Sequence, residues 1–356
     1  MNETIVYKPD ESGYLSQEAT KSYYSRIGIF CFLLGTVSFL ISILASLVIR
    51  LFFPWLLENE NLLSIFEYAL SLVAIYCISM PVALLALSPL PKMRPIKEKM
   101  KFSHLLAALC ICFTFMQTGA SFSNIIITFV ETLSGKTLTN PVATNLSTGN
   151  LLLSAILVGI IFPILEEILF RRILCNKLLP LGEKKAIIIS AAVFGFIHGN
   201  LFQFAYAFLI GLVLGYIYVK SGKLIYTIIF HCIINLYSGV FAQFVLSKMP
   251  LDKLEELLND VLANPDLMNS TELLWEKLSP YAAGLVLYMI YSYVLMGLSL
   301  AGFIILLVIT IKKKITFEQG ILQTPKTHRF SNFFLTGGVA AAIAYITLRF
   351  LYSIMI

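Results

Sequence analysis

Charged residues are scarce in this chain. Lysine, arginine, aspartate and glutamate make up 13% of the 356 residues, 58% are hydrophobic, and the mean hydropathy is +0.85. A soluble domain carries roughly 25% charged and about 45–50% apolar residues. The shortage of charge therefore excludes a soluble globular protein and a protein with a single anchor. It predicts an all-α, polytopic membrane protein.

Several other signatures are missing. The six cysteines fall in apolar stretches, and Cys110 and Cys112 are not spaced as C-x-x-C, which indicates free thiols. No H-E-x-x-H zinc motif, internal repeat or low-complexity segment is present, and no cleavable signal peptide is expected. The basic residues behind the net charge of +6 are spread between apolar runs, so no nucleic acid partner is expected.

Long apolar runs supply eight or nine candidate transmembrane helices, since a helix needs about 20 mostly apolar residues to cross a bilayer. The fifth of nine runs is short. The runs lie at about 27–49, 63–89, 103–130, 151–179, 185–198, 202–219, 224–246, 281–311 and 333–355.

The basic residues predict how these spans are oriented, because cytoplasmic loops carry an excess of lysine and arginine. The connections 92–101, 184–185, 220–223 and 312–329 carry the basic residues, whereas 132–150 has a single lysine. Each basic connection follows an even-numbered span. The pattern therefore predicts a cytoplasmic N-terminus.

This arrangement divides the chain into five parts. Within the fourth part, residues 251–262 have apolar groups at helical spacing and an acidic opposite face, which is typical of an amphipathic surface helix. The parts are a polar cytoplasmic segment at 1–26, three transmembrane helices at 27–130, a core of four at 150–246, an extracytoplasmic insert at 247–280 and two transmembrane helices at 281–356.

Ionisable residues interrupt the fourth apolar run, in the sequence Glu166-Glu167-x-x-x-Arg171. Such groups cost several kcal/mol in a membrane helix and mark a functional site by default. Glu167 and Arg171 are four residues apart, so they can pair along one helix face. Glu166 is rotated by about 100° from Glu167. One carboxylate can therefore pair while the other faces a cavity.

Two later runs each add a histidine with a partner one helical turn away. These are Phe194-x-x-x-His198 and His231-x-x-x-Asn235. A hairpin that turns at 180–185 would place Glu166 and His198 at the same level, about 20 Å from the turn. The two side chains could then face each other.

Such a cluster admits several roles. A glutamate beside an imidazole can hold and deprotonate a water, and a second histidine with an asparagine can donate hydrogen bonds to an oxyanion. Those groups suffice for amide hydrolysis without a covalent intermediate. Glutamate and two histidines could also bind zinc. A proton or ion path in a transporter and a buried structural network use the same residue types, so these alternatives stay open.

Taken together, the three motifs resemble those of the CPBP family of intramembrane proteases. That family includes type II CAAX prenyl endopeptidases and bacteriocin-processing, Abi-type members, and its motifs are E-E-x-x-x-R, F-x-x-x-H and H-x-x-x-N/B. All three occur here in order within 150–240. The resemblance implies a glutamic-type endopeptidase whose protease core is 150–246.

The resemblance also implies a role for each motif residue. Glu166 with His198 would activate the hydrolytic water, and His231 with Asn235 would form the oxyanion hole. The Glu167–Arg171 pair would support the site. No cofactor is expected. If a divalent metal such as zinc is bound, Glu166, His198 and His231 are its expected ligands.

The expected partners are the lipid bilayer and a membrane-embedded or lipidated peptide or protein substrate. The expected location is the plasma membrane of a bacterium, as a multi-pass protein. A proton- or ion-coupled transporter and a non-catalytic scaffold of the same fold are the alternative functions.

Overall fold

A computed structural model describes residues 7–11, 13–140, 150–249, 255–256, 259–260, 263–264, 270–325 and 329–355. Within these ranges the chain is almost entirely helical and contains no β-strand, so the all-α prediction is confirmed.

Eight helices in the described ranges are long and apolar enough to cross a membrane, as a polytopic membrane protein requires. A shorter helix, α5, lies between the fourth and the fifth of these eight helices in the chain. The helices are α1 Gln17–Phe52, α2 Asn61–Leu87, α3 Phe102–Ser134, α4 Leu151–Leu181, α5 Glu183–Ile197, α6 Leu201–Ser221, α7 Leu224–Ser247, α8 Thr271–Ile311 and α9 Gly337–Ile354.

The fifth candidate span, 185–198, is helical but too short to cross a bilayer. Helix α5 has 15 residues. At 1.5 Å per residue it reaches about 22 Å, less than the ~30 Å of a hydrocarbon core. Gly182, with φ +104°, makes the turn between α4 and α5, so the hairpin expected at 180–185 is confirmed. Because α5 is short, His198 lies partway through the bundle.

Two helices begin earlier than their apolar runs. Helix α1 starts at Gln17 because the Ser16 side chain accepts a hydrogen bond from the backbone N–H of Ala19 at 3.1 Å, which caps the first turn. The segment predicted as polar at 1–26 is therefore partly helical. Helix α8 likewise begins at Thr271. The amphipathic helix predicted at 251–262 falls mainly outside the described residues.

The connections predicted to be cytoplasmic meet at one end of the bundle. Lys220 pairs with Glu183 at 2.5 Å, and the backbone N–H of Glu318 donates to the same carboxylate at 2.8 Å. The backbone N–H of Glu98 donates to the carbonyl of Ser221 at 2.8 Å. All four basic connections thus share one end, as the orientation rule requires. The side of the membrane that this end faces stays a prediction.

The helices pack around two apolar clusters. One joins α1, α2, α4, α5 and α9, and the other joins α3, α7 and α8. Helix α6 contributes side chains to both clusters. The three motifs therefore lie on helices that the two clusters hold together.

Gly119 allows α3 to approach α6 closely. An added Cβ would overlap the Cα and backbone nitrogen of Tyr206, and backbone atoms cannot yield as a side-chain end does. We expect Gly119→Ala to lower the free energy of unfolding by about 1–3 kcal/mol, seen as a lower Tm in detergent. Gly297→Ala on α8 is the matched control, because an added Cβ there meets no atom within 4 Å. Equal shifts for the two variants would contradict the prediction.

Candidate active site

The two glutamates of α4 have different surroundings. Glu167 is fully buried, and its Oε2 lies 3.0 Å from Nε of Arg171. Glu166 keeps 21% of its side-chain surface exposed and lines a cavity. The predicted i,i+4 pair is therefore confirmed, as is the prediction that the neighbouring carboxylate faces a cavity.

Arg171 is fully buried, and it joins α4 to α5. Its Nη1 donates to Oγ of Ser190 at 2.9 Å, and that hydroxyl donates to the carbonyl of Phe170 at 3.0 Å. The guanidinium carbon lies 5.4 Å from the ring centroid of Phe194. Nη2 has no hydrogen-bond partner among the described residues. The guanidinium is thus held mainly by Glu167, whose removal would leave a buried charge uncompensated.

His231 of α7 lies between the two glutamates. Its Nδ1 is 3.1 Å from Oε1 of Glu167, and its Nε2 is 3.4 Å from Oε2 of Glu166. An ionised carboxylate only accepts hydrogen bonds, so this geometry assigns the hydrogen to Nδ1. Nε2 and the Glu166 carboxylate can then share one proton. Glu167 accepts from both Arg171 and His231, and so fixes the tautomer of the imidazole.

His198 is held by a backbone carbonyl, whereas His231 is held by carboxylates. Its Nδ1 lies 2.8 Å from the carbonyl oxygen of Phe194, which can only accept, so Nδ1 carries the hydrogen. In the neutral ring Nε2 therefore has a free lone pair. His198 and Glu166 line the same cavity, but the histidine in contact with Glu166 is His231. The depth argument expected His198 to face Glu166, and it did not anticipate that His231 would be the histidine in contact with Glu166.

Asn235 is fixed by a defect in α4. Its Nδ2 donates to the carbonyl of Val158 at 2.9 Å. Helix α4 is π-helical over Leu157–Ile161, where each carbonyl bonds to the N–H five residues later. Five residues after Val158 is Pro163, which has no N–H, so the Val158 carbonyl is free to accept from Asn235. The second N–H of the amide is left for a group in the cavity that Asn235 lines.

The ring of Phe194 contacts both histidines edge-on. The ring centroids are 5.1 Å apart for His198 and 5.6 Å apart for His231, at interplanar angles of 89° and 88°. The same ring lies under the Arg171 guanidinium. Phe194 therefore positions both imidazoles and the cation, which explains why a phenylalanine belongs to the second motif.

We expect Phe194→Ala to cost about 3–5 kcal/mol of unfolding free energy, because it removes a buried ring from contacts with three motif residues. Phe196→Ala, which removes a half-buried ring on the same helix, is the matched control and should cost clearly less. Thermal unfolding of both purified variants measures the difference. Similar changes in Tm for the two variants would mean that the contacts of Phe194 with the motif residues add no stability beyond that of an ordinary half-buried ring.

Three polar groups near the site lie outside the motifs. The Tyr76 hydroxyl of α2 donates a hydrogen bond to the Glu166 carboxylate. Nδ2 of Asn200 donates to the carbonyl of His198 at 3.0 Å and to Oε1 of Gln203 at 2.8 Å. Asn200 could have been found as the N-cap of α6. No spacing in the sequence relates Tyr76 to Glu166, so sequence reasoning had no signal for it.

Five motif residues line one cavity of about 480 Å³, namely Glu166, Phe194, His198, His231 and Asn235. Its walls come from α2, α3, α4, α6, α7 and α8, together with Phe194 of α5 and His198. The volume lies in the usual range for ligand sites, about 300–1,000 Å³. It combines apolar walls with a few polar groups, as such sites do, and is large enough for a short peptide segment.

The three residues named as ligands for a possible metal all line the cavity. In the described part of the chain, no group of three or more His, Cys, Asp or Glu side chains forms a metal-binding cluster. Nδ1 of His198 is held by a carbonyl, and both nitrogens of His231 face carboxylates. The carbonyl contact at Nδ1 leaves Nε2 of His198 free, so the expectation that Glu166, His198 and His231 would bind a metal stays a prediction.

One comparison with known proteins gives a match. Residues 148–237 match the family model described as Rce1-like, type II CAAX prenyl endopeptidase. The matched segment is about a quarter of the chain and contains the three motifs. No curated protein and no solved structure matches the chain.

Proposed function

We propose that this chain, which carries an Rce1-like domain of the CPBP/CAAX protease family at residues 148–237, is an intramembrane endopeptidase. Its substrate is a membrane-embedded or lipidated peptide or protein. The observation that supports the proposal most directly is the environment of Glu166. This carboxylate faces the cavity beside His231, while Glu167 is buried and paired with Arg171.

In the proposed reaction Glu166 is the general base. A water in the cavity gives one proton to Glu166 while its oxygen bonds to the carbonyl carbon, whose π electrons move to the carbonyl oxygen. The lone pair on Nε2 of His198 accepts a hydrogen bond from the same water and orients it. Glu166 and His198 both line the cavity, which is consistent with one acting as the base and the other orienting the water.

The oxyanion that forms needs hydrogen-bond donors. Asn235 has a free N–H for this purpose, since its other contact is with the Val158 carbonyl. His231 supplies the second donor when Nε2 holds the proton that it shares with Glu166. Collapse of the intermediate reforms the carbonyl and breaks the C–N bond. Glu166 then passes its proton to the leaving amine, which balances the hydrolysis.

We further propose that the protein acts in the plasma membrane of a bacterium, with its basic end in the cytoplasm. The clustering of the basic connections at one end of the bundle supports the orientation. The sequence carries nothing that recognises a prenyl group in particular, so a hydrophobic peptide suits the cavity as well as a prenylated one.

The test is peptide cleavage by the purified protein in liposomes. A mixture of hydrophobic and lipidated peptides is incubated in ¹⁸O-labelled water, and the products are read by mass spectrometry. We expect one new C-terminus that carries a single ¹⁸O atom from the attacking water. Folded protein that cleaves no peptide, but couples proton or ion flux to a solute in the same vesicles, would instead identify a transporter.

A further inference from the structure

The cavity is lined by carboxylates. Among the residues that the structure describes, Glu67 of α2 and Glu166 of α4 are the acidic residues in its lining, and no lysine or arginine lines it. The nearby Glu167–Arg171 pair adds no net charge. A cleft with charges of one sign and low-dielectric walls concentrates the opposite charge. The cavity therefore favours a cationic ligand group.

Glu67 has no structural role that would account for its charge. Within the described residues its carboxylate makes no hydrogen bond and no ion pair. The neighbouring Tyr68 hydroxyl, by contrast, is 3.0 Å from Oγ of Ser154 and so links α2 to α4. An ionisable residue in a membrane helix is costly and marks function by default. Glu67 faces the cavity without a partner, and a bound substrate could supply one.

The position of Glu67 sets its distance from the reacting groups. Tyr76, which donates to Glu166, follows Glu67 by nine positions on the same helix. A rise of 1.5 Å per residue separates the two levels by about 13 Å. An extended peptide advances about 3.3 Å per residue. About four residues of a bound peptide would therefore separate a group at Glu67 from the bond at Glu166.

Glu67 also lies toward a particular end of the bundle. Helix α2 begins at the end opposite the basic connections, and Glu67 is the seventh residue of that helix. Ser71, one turn after Glu67, also lines the cavity. Glu67, Ser71 and Glu166 therefore all present polar groups to one cavity.

We propose that Glu67 is a specificity-determining residue that binds a cationic group of the substrate about four residues from the scissile bond. The cationic group is a lysine or arginine side chain or a free N-terminal ammonium. This inference rests on the proposed protease function, because a specificity site is defined relative to a scissile bond. The binding of the cationic group can still be measured without any cleavage.

The first measurement is binding of labelled hydrophobic peptides to the full-length protein in liposomes. Matched peptides carry lysine, norleucine or glutamate at one position, each with a free or an acetylated N-terminus. We expect wild type to prefer the cationic peptide by about tenfold, Glu67→Gln to lose the preference and Glu67→Lys to prefer the glutamate peptide. Because the last result is a gain, it cannot arise from misfolding.

Glu58→Gln is the matched control for overall charge. Glu58 is an exposed carboxylate at the same end of the bundle, outside the cavity, and its removal should leave the wild-type preference in place. The acetylated peptides separate the two sources of the cation. A preference that survives acetylation comes from the side chain, and one that disappears comes from the terminal ammonium.

The second measurement repeats the peptide series around the cleavage site, with kcat/KM as the readout. Cleavage with equal kcat/KM for the cationic and norleucine peptides would contradict the Glu67 subsite and still support the proposed protease function. In another outcome, the binding preference depends on the charge of the peptide and disappears in Glu67→Gln while no peptide is cleaved. That result would support the Glu67 subsite and contradict the proposed protease function. Binding that is equal for all peptides in wild type and variants overturns the subsite in either case.

Discussion

Glu166→Gln is expected to leave the protein folded and to lower kcat/KM for peptide cleavage by about a hundredfold to ten-thousandfold, the usual contribution of a general base. Glutamine keeps the size of the side chain and can still accept the hydrogen bond from Tyr76. It cannot take a proton from water. Glu166 is partly exposed and is not the partner of Arg171. Its charge can therefore be removed without leaving the buried Arg171 cation unpaired.

The measurement compares wild type and Glu166→Gln on the same peptide in liposomes, with thermal unfolding of both proteins as the check on folding. The neighbouring Glu167→Gln is an informative control, because the same change one residue later should lower Tm instead. Folded Glu166→Gln protein with wild-type turnover would remove Glu166 from the mechanism, and the proposed function with it.

Contacts within one helix could be predicted from the sequence. The Glu167–Arg171 pair follows from helical spacing alone, and Glu166 had to point elsewhere because it is one residue away. The turn at Gly182 between two apolar runs gave the α4–α5 hairpin in the same way. These features are local, so the chain needs no tertiary information to specify them.

The contact between Glu166 and His231 could not be predicted, because it depends on how α7 packs on α4. Gly159 on α4 faces Leu236 on α7, and an added Cβ there would overlap the leucine side chain. Close packing at this point brings His231 within 3.4 Å of Glu166. Depth along a helix gives the level of a side chain but not which neighbouring helix lies closest.

Helix defects were also invisible in the pattern of apolar residues. The π-helical segment Leu157–Ile161 frees the Val158 carbonyl that Asn235 uses, yet its composition is that of any membrane helix. Tyr76 lies in another π-helical segment, Leu72–Ser79, on a helix that the three motifs do not include. The family resemblance covers the motif helices, so the contribution of α2 to the site emerges only from the fold.

Arg171→Met is expected to lower the free energy of unfolding by about 3–5 kcal/mol, because it leaves the Glu167 carboxylate buried without its cation. Both side chains have no exposed surface. The measurement is thermal or denaturant unfolding of the purified variant in detergent. Lys277→Met is the matched control, since it breaks the Asp260–Lys277 pair, whose side chains are 52% and 42% exposed. Exposed pairs contribute about 0–1 kcal/mol, so an equal shift in both variants would contradict the buried-pair argument.

The double variant Glu167→Leu/Arg171→Met separates the two roles of the pair. Replacing both buried ions by apolar groups of similar volume removes the uncompensated charge, so we expect it to be more stable than Arg171→Met alone. Its turnover should nevertheless stay low, because Nδ1 of His231 loses the carboxylate that fixes the tautomer of the ring. A stable and fully active double variant would mean that Glu167 serves stability alone. A stable and inactive one would identify Glu167 as the residue that positions His231 for the reaction.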